Sequence, residues 1–138
     1  MNEKKLPIGY WIKEADTLLT KGIDDIQHQL GLNRTGWQIL NSINEEGNYN
    51  KTELINLLLP FSSADETEAM INKFADEKII HSQQNQLSLT SKGKELHTAC
   101  FERQKQFRQE IMEGISGQDY DTAISTLQKM VLNISGKK

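Results

Sequence analysis

The sequence predicts a mainly α-helical chain that carries one small β-hairpin. Three observations support this. The 138 residues include only two prolines, Pro7 and Pro60, so long helices are permitted across most of the length. Apolar residues recur at steps of three and four along most of the chain, the spacing that gathers them on one helix face. Only between Ile79 and Thr90 does the period change. There, Ile79-Ile80-His81-Ser82 and Leu87-Ser88-Leu89-Thr90 flank Gln83-Gln84-Asn85-Gln86, two short extended runs joined by a four-residue polar connection.

The elements follow in order. Pro7 suits a helix start, and Ile8, Trp11, Ala15, Leu18, Gly22 and Ile26 form a narrow stripe ending near Gly31, of the kind used in a helix–helix seam. Asn33 offers an N-cap to a second helix through Trp37, Ile39, Leu40 and Ile43, which stops at Gly47. Asn50 and Glu53 have the capping-box spacing and open a short third helix with Leu54, Leu57 and Leu58 inward, ended by Pro60. Ser62 or Ser63 caps the fourth helix, whose first turn holds Asp65 and Glu66, where acids suit the helix dipole. Thr67, Met70, Ile71, Phe74 and Ala75 form its inner face. After the hairpin, a fifth helix runs through Leu96, Cys100, Arg103, Phe107 and Ile111. A sixth carries the cleanest stripe: Tyr120, Ala123, Ile124, Leu127, Met130, Val131 and Ile134.

Composition bounds the function. The length fits one domain with added dimerisation helices. Apolar residues are 36%, low for a self-sufficient globule. That points to apolar surface completed by a partner chain, although long solvated helices give the same figure. The net charge of −3 provides no global basic field for nucleic acid. Cys100 is the sole cysteine, which excludes an internal disulfide. No apolar run reaches the roughly 18 residues of a membrane span. MNEKKLPIGYW lacks the apolar core of a signal peptide, so a cytoplasmic protein with no membrane partner is expected. No phosphate loop, nucleophile motif or paired-carboxylate spacing supports an enzyme, and nothing calls for a cofactor. His97 and Cys100, three apart, make half a metal site at best, with His28 and His81 distant in sequence, so no metal site is assigned.

Helix, helix, short helix, serine-capped helix and hairpin is the order of a winged helix-turn-helix module, in which two helices brace a third whose N-terminal side chains enter a major groove. Three stretches resemble the MarR-type regulators of bacteria: LGLNRTGWQILNSINEEG (Leu30 to Gly47) their second helix, ISGQDYDTAISTLQKMVLNI (Ile115 to Ile134) their closing dimerisation helix, and LSLTSKGKEL (Leu87 to Leu96) their Leu-Thr-x-x-Gly-x-x-Leu joint of strand and helix. The resemblance covers nearly the whole chain. It implies a single MarR-like chain with an N-terminal dimerisation helix (6–30), a winged module (31–97) and C-terminal dimerisation helices (98–138). It also implies a homodimer on double-stranded DNA, controlled by a small, often aromatic, effector. The sequence departs from the family at Glu68 and Ala69, where Thr and Arg are common, and at Lys78, where Gly is usual. The family's arginine-bearing wing is reduced to Gln83–Gln86.

Candidate DNA contacts are Ser62, Ser63, Thr67 and Lys73 on the fourth helix, with Lys51 and the wing residues Gln83, Gln84, Asn85 and Gln86. The alternative for these is a capped, solvated helix and a polar turn. Tyr10, Trp11, Trp37 and Phe101 are candidates for an aromatic ligand pocket, or else core and interface residues. Ile8, Trp11 and Ala15, with Ile124, Leu127, Met130, Val131 and Ile134, are assigned to the dimer interface. Cys100 is either a redox sensor beside Arg103 or an inert buried thiol. From Asn50 to His97 there are five bases against seven acids. Phosphate neutralisation dominates DNA affinity, so two functions stand: a ligand-responsive DNA-binding regulator on a pseudo-palindromic operator, or a winged-helix module for protein interaction or small-molecule sensing with weak or no DNA binding.

Overall fold

The computed structural model describes residues 6–136. The first five residues of the N-terminal segment read above, and the last two of the chain, lie outside the described residues. Six helices and three short strands follow in order: α1 (Ile8–Gln29), α2 (Arg34–Glu46), β1 (Tyr49–Asn50), α3 (Lys51–Leu58), α4 (Ala64–Asp76), β2 (Ile80–Gln83), β3 (Gln86–Leu89), α5 (Ser91–Ile111) and α6 (Gly117–Ser135). The chain forms two compact units, residues 1–105 and 106–138, with the boundary inside α5. No helix among the described residues is long and apolar enough to cross a membrane.

Side-chain caps start α2, α3, α4 and α6. Asn33 accepts from Gly36 N at 2.7 Å, Asn50 from Glu53 N at 3.0 Å, Ser63 from Glu66 N at 3.1 Å and Ser116 from Asp119 N at 3.0 Å. Each satisfies an amide that the helix itself leaves without a partner. Of the two serines offered as the α4 cap, Ser63 takes the role.

The core of the first unit gathers Ile39, Leu40 and Ile43 of α2, Leu54 and Leu58 of α3, Ile71 and Phe74 of α4, Leu87 of β3 and Cys100 of α5. Leu57, expected inward, is 50% exposed. Leu54 and Leu58 lie one turn apart on the inner face of this eight-residue helix, and Leu57 falls to its flank. Ile26 of α1 and Leu30 just past its end pack against the core, and Gln27 Nε2 donates to Gln104 Oε1 of α5 at 3.2 Å. Arg103 of α5 likewise donates to Gln29.

The strands form one antiparallel sheet in the order β1-β3-β2. Tyr49 pairs with Leu87 and Asn50 with Gln86, while Ile80 pairs with Leu89 and Gln83 with Gln86. Each four-residue strand therefore lies one residue nearer the turn than the sequence suggested. Only Gln84 and Asn85 form the connection, both at positive φ (51° and 64°), as a two-residue turn matched to strand twist requires. β1 was not foreseen.

The joint from α4 through the hairpin to α5 is tightly bonded. Ile79 N donates to Phe74 O at 2.8 Å and Lys78 N to Ala75 O at 3.1 Å, the paired bonds of a Schellman ending. Lys78 takes the left-handed conformation, φ 62°. Thr90 Oγ1 lies 2.6 Å from Lys78 O and 3.0 Å from Ile79 O, to which it donates, and it accepts from Gly93 N at 3.0 Å. A Cβ on Gly93 would stand 2.1 Å from Ile79 O, so the backbones approach where only glycine fits. These contacts give a physical reason for threonine and glycine in the Leu-Thr-x-x-Gly-x-x-Leu stretch.

In the second unit α6 contains no buried residue. Leu127 and Met130 are half-buried, while Ile124, Val131 and Ile134 are exposed.

Candidate nucleic-acid interface

α4 stands where a groove-reading helix is expected. Thr67, Ile71 and Phe74 are buried on its inner side. Positions opposite them on the helix are Asp65, Glu68, Ala69, Asn72 and Asp76, all exposed. This outward side holds three acids and, further round from the core face than Glu68, the single base Lys73. Two proposed contacts do not reach it. Thr67 has no exposed surface, because its spacing from Ile71 and Phe74 turns it to the core. Ser62 is 8% exposed, and its hydroxyl is bonded to Thr35 at 2.6 Å, tying the turn before α4 to α2. Ser63 and Lys73 are exposed. Lys73 borders a shallow cleft of about 310 Å³ with Asn33, Thr35, Glu66, Ala69 and Met70. Asn72, missed in the sequence between Ile71 and Lys73, is a side chain suited to an adenine edge; its only signal was its position opposite the core face.

Lys51, at the start of α3, is turned toward this helix, with Nζ 3.6 Å from Glu68 Oε2. Lys51 is therefore already partnered by one of these acids. In the wing, Gln83, Gln84, Asn85 and Gln86 are exposed. Asn85 O accepts from Lys51 N at 2.9 Å, and Asn85 Nδ2 donates to Thr52 Oγ1 at 3.1 Å, which fastens the wing turn to α3. Gln83 Oε1 is 3.3 Å from His81 Nε2. Lys92 Nζ donates to Glu77 O at 3.0 Å, a cation at the C-terminal end of α4 as the dipole favours.

The four aromatic candidates fall into two clusters. Tyr10 and Trp11 meet edge to face with ring centres 4.9 Å apart. Trp37 stacks on His97 at 4.8 Å, and His97 lies parallel to Phe101 at 6.1 Å. His97, considered in the sequence only as a metal ligand, is the middle of this second stack, and its Nε2 pairs with Asn41 Oδ1 at 2.8 Å. Burial holds its pKa below the usual 6.5, with Glu45 opposing. Burial also pushes the Cys100 thiol up to about 11, against the pull of Arg103. Cys100 is thus a protonated core residue at neutral pH, the inert alternative of the two. Of the assigned interface residues, Ile8, Trp11, Ala15, Ile124, Val131 and Ile134 are exposed. Ile124, Leu127, Gln128, Val131 and Leu132 line an apolar groove of about 550 Å³ on α6.

The sequence matches no family model and no curated protein sequence. The folded chain is nonetheless similar to solved structures of MarR-type regulators. The reduced form of MarR from E. coli is 16% identical at a TM-score of 0.67, covering 91% of this chain and 94% of that one. The MarR family protein Rv2887 of Mycobacterium tuberculosis, solved in complex with DNA, is 14% identical at 0.70, covering 91% and 98%. A variant of MepR from S. aureus bound to an oligodeoxyribonucleotide is 13% identical at 0.69, covering 94% and 99%. The architecture is therefore the winged-helix fold of MarR-type regulators, as the resemblance in the sequence implied.

Proposed function

We propose that this protein is a DNA-binding transcriptional regulator that acts as a homodimer on a pseudo-palindromic operator and responds to a small aromatic effector. The observation that carries this reading is the end-to-end likeness to two proteins solved with DNA. Within this chain, support comes from a capped α4 seated on the core by Ile71 and Phe74 and followed by a tight two-residue wing. In this reading Ser63, Asn72 and Lys73 face the groove, while Lys51 and Gln83 to Gln86 lie along the backbone. Phe101, the exposed end of the Trp37–His97–Phe101 stack, offers an effector an apolar ring.

The outward acids define how the interface works. Each phosphate neutralised adds about 0.9 to the steepness of the salt dependence, and Lys51 spends part of its charge on Glu68. Glu68→Gln should release Lys51, tightening DNA binding and steepening the log K against log salt slope by about one. Fluorescence anisotropy across several salt concentrations checks this. A slope and affinity identical to the parent would remove Lys51 from the set of phosphate contacts.

A second reading has its own support. Leu57, Leu59 and Phe61, on α3 and the turn before α4, are exposed beside the acidic helix, a combination suited to a basic protein partner. Titration of the protein against its own promoter region and against random DNA decides between them. Specific binding with a measurable salt slope supports the regulator. No binding to either DNA at low salt without effector supports the protein-interaction module.

A further inference from the structure

The tip of the wing is fastened to α3 by bonds that strand pairing does not supply. β1 and β3 pair as far as Asn50 and Gln86. Beyond that pair, Lys51 N donates to Asn85 O at 2.9 Å, and Asn85 Nδ2 donates to Thr52 Oγ1 at 3.1 Å. The first turn of α3 also reaches α4, through Lys51 Nζ and Glu68 Oε2 at 3.6 Å. Lys51 and Thr52 therefore join both the wing and α4 to α3.

The residues at the turn give this fastening a purpose. Gln84 and Asn85 take positive φ, 51° and 64°, and glycine is the residue such a turn favours at its second position. Asparagine tolerates the conformation and, unlike glycine, brings a side-chain amide that reaches Thr52. Asn85 is exposed, yet its amide is spent on α3. We infer that Asn85 and Thr52 form a clasp that fixes the wing against α3, and that Asn85 is a positioning residue for DNA rather than a contact. The inference rests on the DNA-binding reading above. A wing ordered before binding spares the cost of ordering it on the duplex. An uncharged clasp neutralises no phosphate, so its loss lowers affinity and leaves the salt slope alone.

The test measures binding of the full chain, by fluorescence anisotropy at several salt concentrations, to labelled duplexes tiling its own promoter region. Asn85→Gly suits the turn but removes the amide; Thr52→Val keeps the shape but removes the acceptor. Each should weaken binding about fivefold with an unchanged salt slope, and the double variant should lose no more than either single. Thr52→Ser, which keeps the hydroxyl, should bind as the parent does. Without DNA, the backbone order parameters of Gln84 and Asn85 should fall from about 0.85 in the parent to about 0.6 in Thr52→Val. Both substituted positions are exposed, so the variants keep the core intact. Undiminished affinity, additive losses, a loss in Asn85→Gly alone, Thr52→Ser as weak as Thr52→Val, or unmoved wing order would overturn the clasp while the parent still binds DNA. A parent that binds none of the duplexes would overturn the regulator reading, and the positioning role with it.

Discussion

Thr67 lies on the inner side of α4 with no exposed surface, and its Oγ1 has no hydrogen-bond partner among the described residues. A buried hydroxyl left unpaired costs about 1–3 kcal/mol. Thr67→Val keeps the shape and removes the hydroxyl, so it should stabilise the protein by about 1 kcal/mol in urea denaturation. An unchanged or lowered midpoint would mean that the hydroxyl is satisfied. In the sequence Thr67 had two readings, inner face and groove contact; helical spacing favoured the first and polarity suggested the second. His97 makes a separate prediction. Burial holds its folded pKa below 6.5, so the unfolded chain takes up the proton first as pH falls. Its contribution to stability is complete above about pH 6.5 and is lost as pH drops through the folded pKa. The difference in melting temperature between the parent and His97→Gln should therefore shrink as the pH is lowered from 7.5 to 5. A constant difference would show that His97 titrates alike in both states.

At the scale of elements, the helices were legible because caps and apolar spacing agree. Asn33, Asn50 and one serine of the Ser62-Ser63 pair could each be placed from position alone. β1 could not, since Tyr49 and Asn50 are too few residues to show alternation and their partners are supplied by β3. The wing connection was read as four residues because Gln83 to Gln86 is uniformly polar; pairing of Gln83 with Gln86 reduces it to two. The ending of α4 is the most informative departure. Its Schellman bonds demand a left-handed residue, and Lys78 occupies that place at φ 62°. A side chain there costs roughly 1 kcal/mol relative to glycine. Lys78→Gly should therefore raise the melting temperature by about 3–5 °C, measured by circular dichroism. A fall would mean that the gain in unfolded-state entropy at glycine outweighs the relief of the backbone.

The two units bury their apolar residues differently, and this sets the expectation for the whole molecule. The first has a closed core from α2 to the early turns of α5. The second buries no residue of α6, although that helix carries the cleanest apolar stripe in the sequence. Neither polar substitution along the stripe nor a short helix relieves this exposure, since α6 spans 19 residues with a groove bordered by Ile124, Leu127 and Val131. Covering apolar surface contributes about 25 cal/mol per Å², and a second copy presenting the same stripe satisfies both helices at once in a two-fold arrangement. In the proposed homodimer the low apolar fraction follows, because the residues present would serve a partner as well as a core. A carboxylate at the centre of such a contact must be desolvated without a counter-charge. The double variant Ile124→Asp with Leu127→Asp should therefore weaken self-association at least about a hundredfold, roughly 3 kcal/mol, giving a monomer or an aggregate in sedimentation velocity. The helical signal of the first unit should persist. A folded dimer from this variant, at concentrations where the parent is also dimeric, would place the interface elsewhere than on α6.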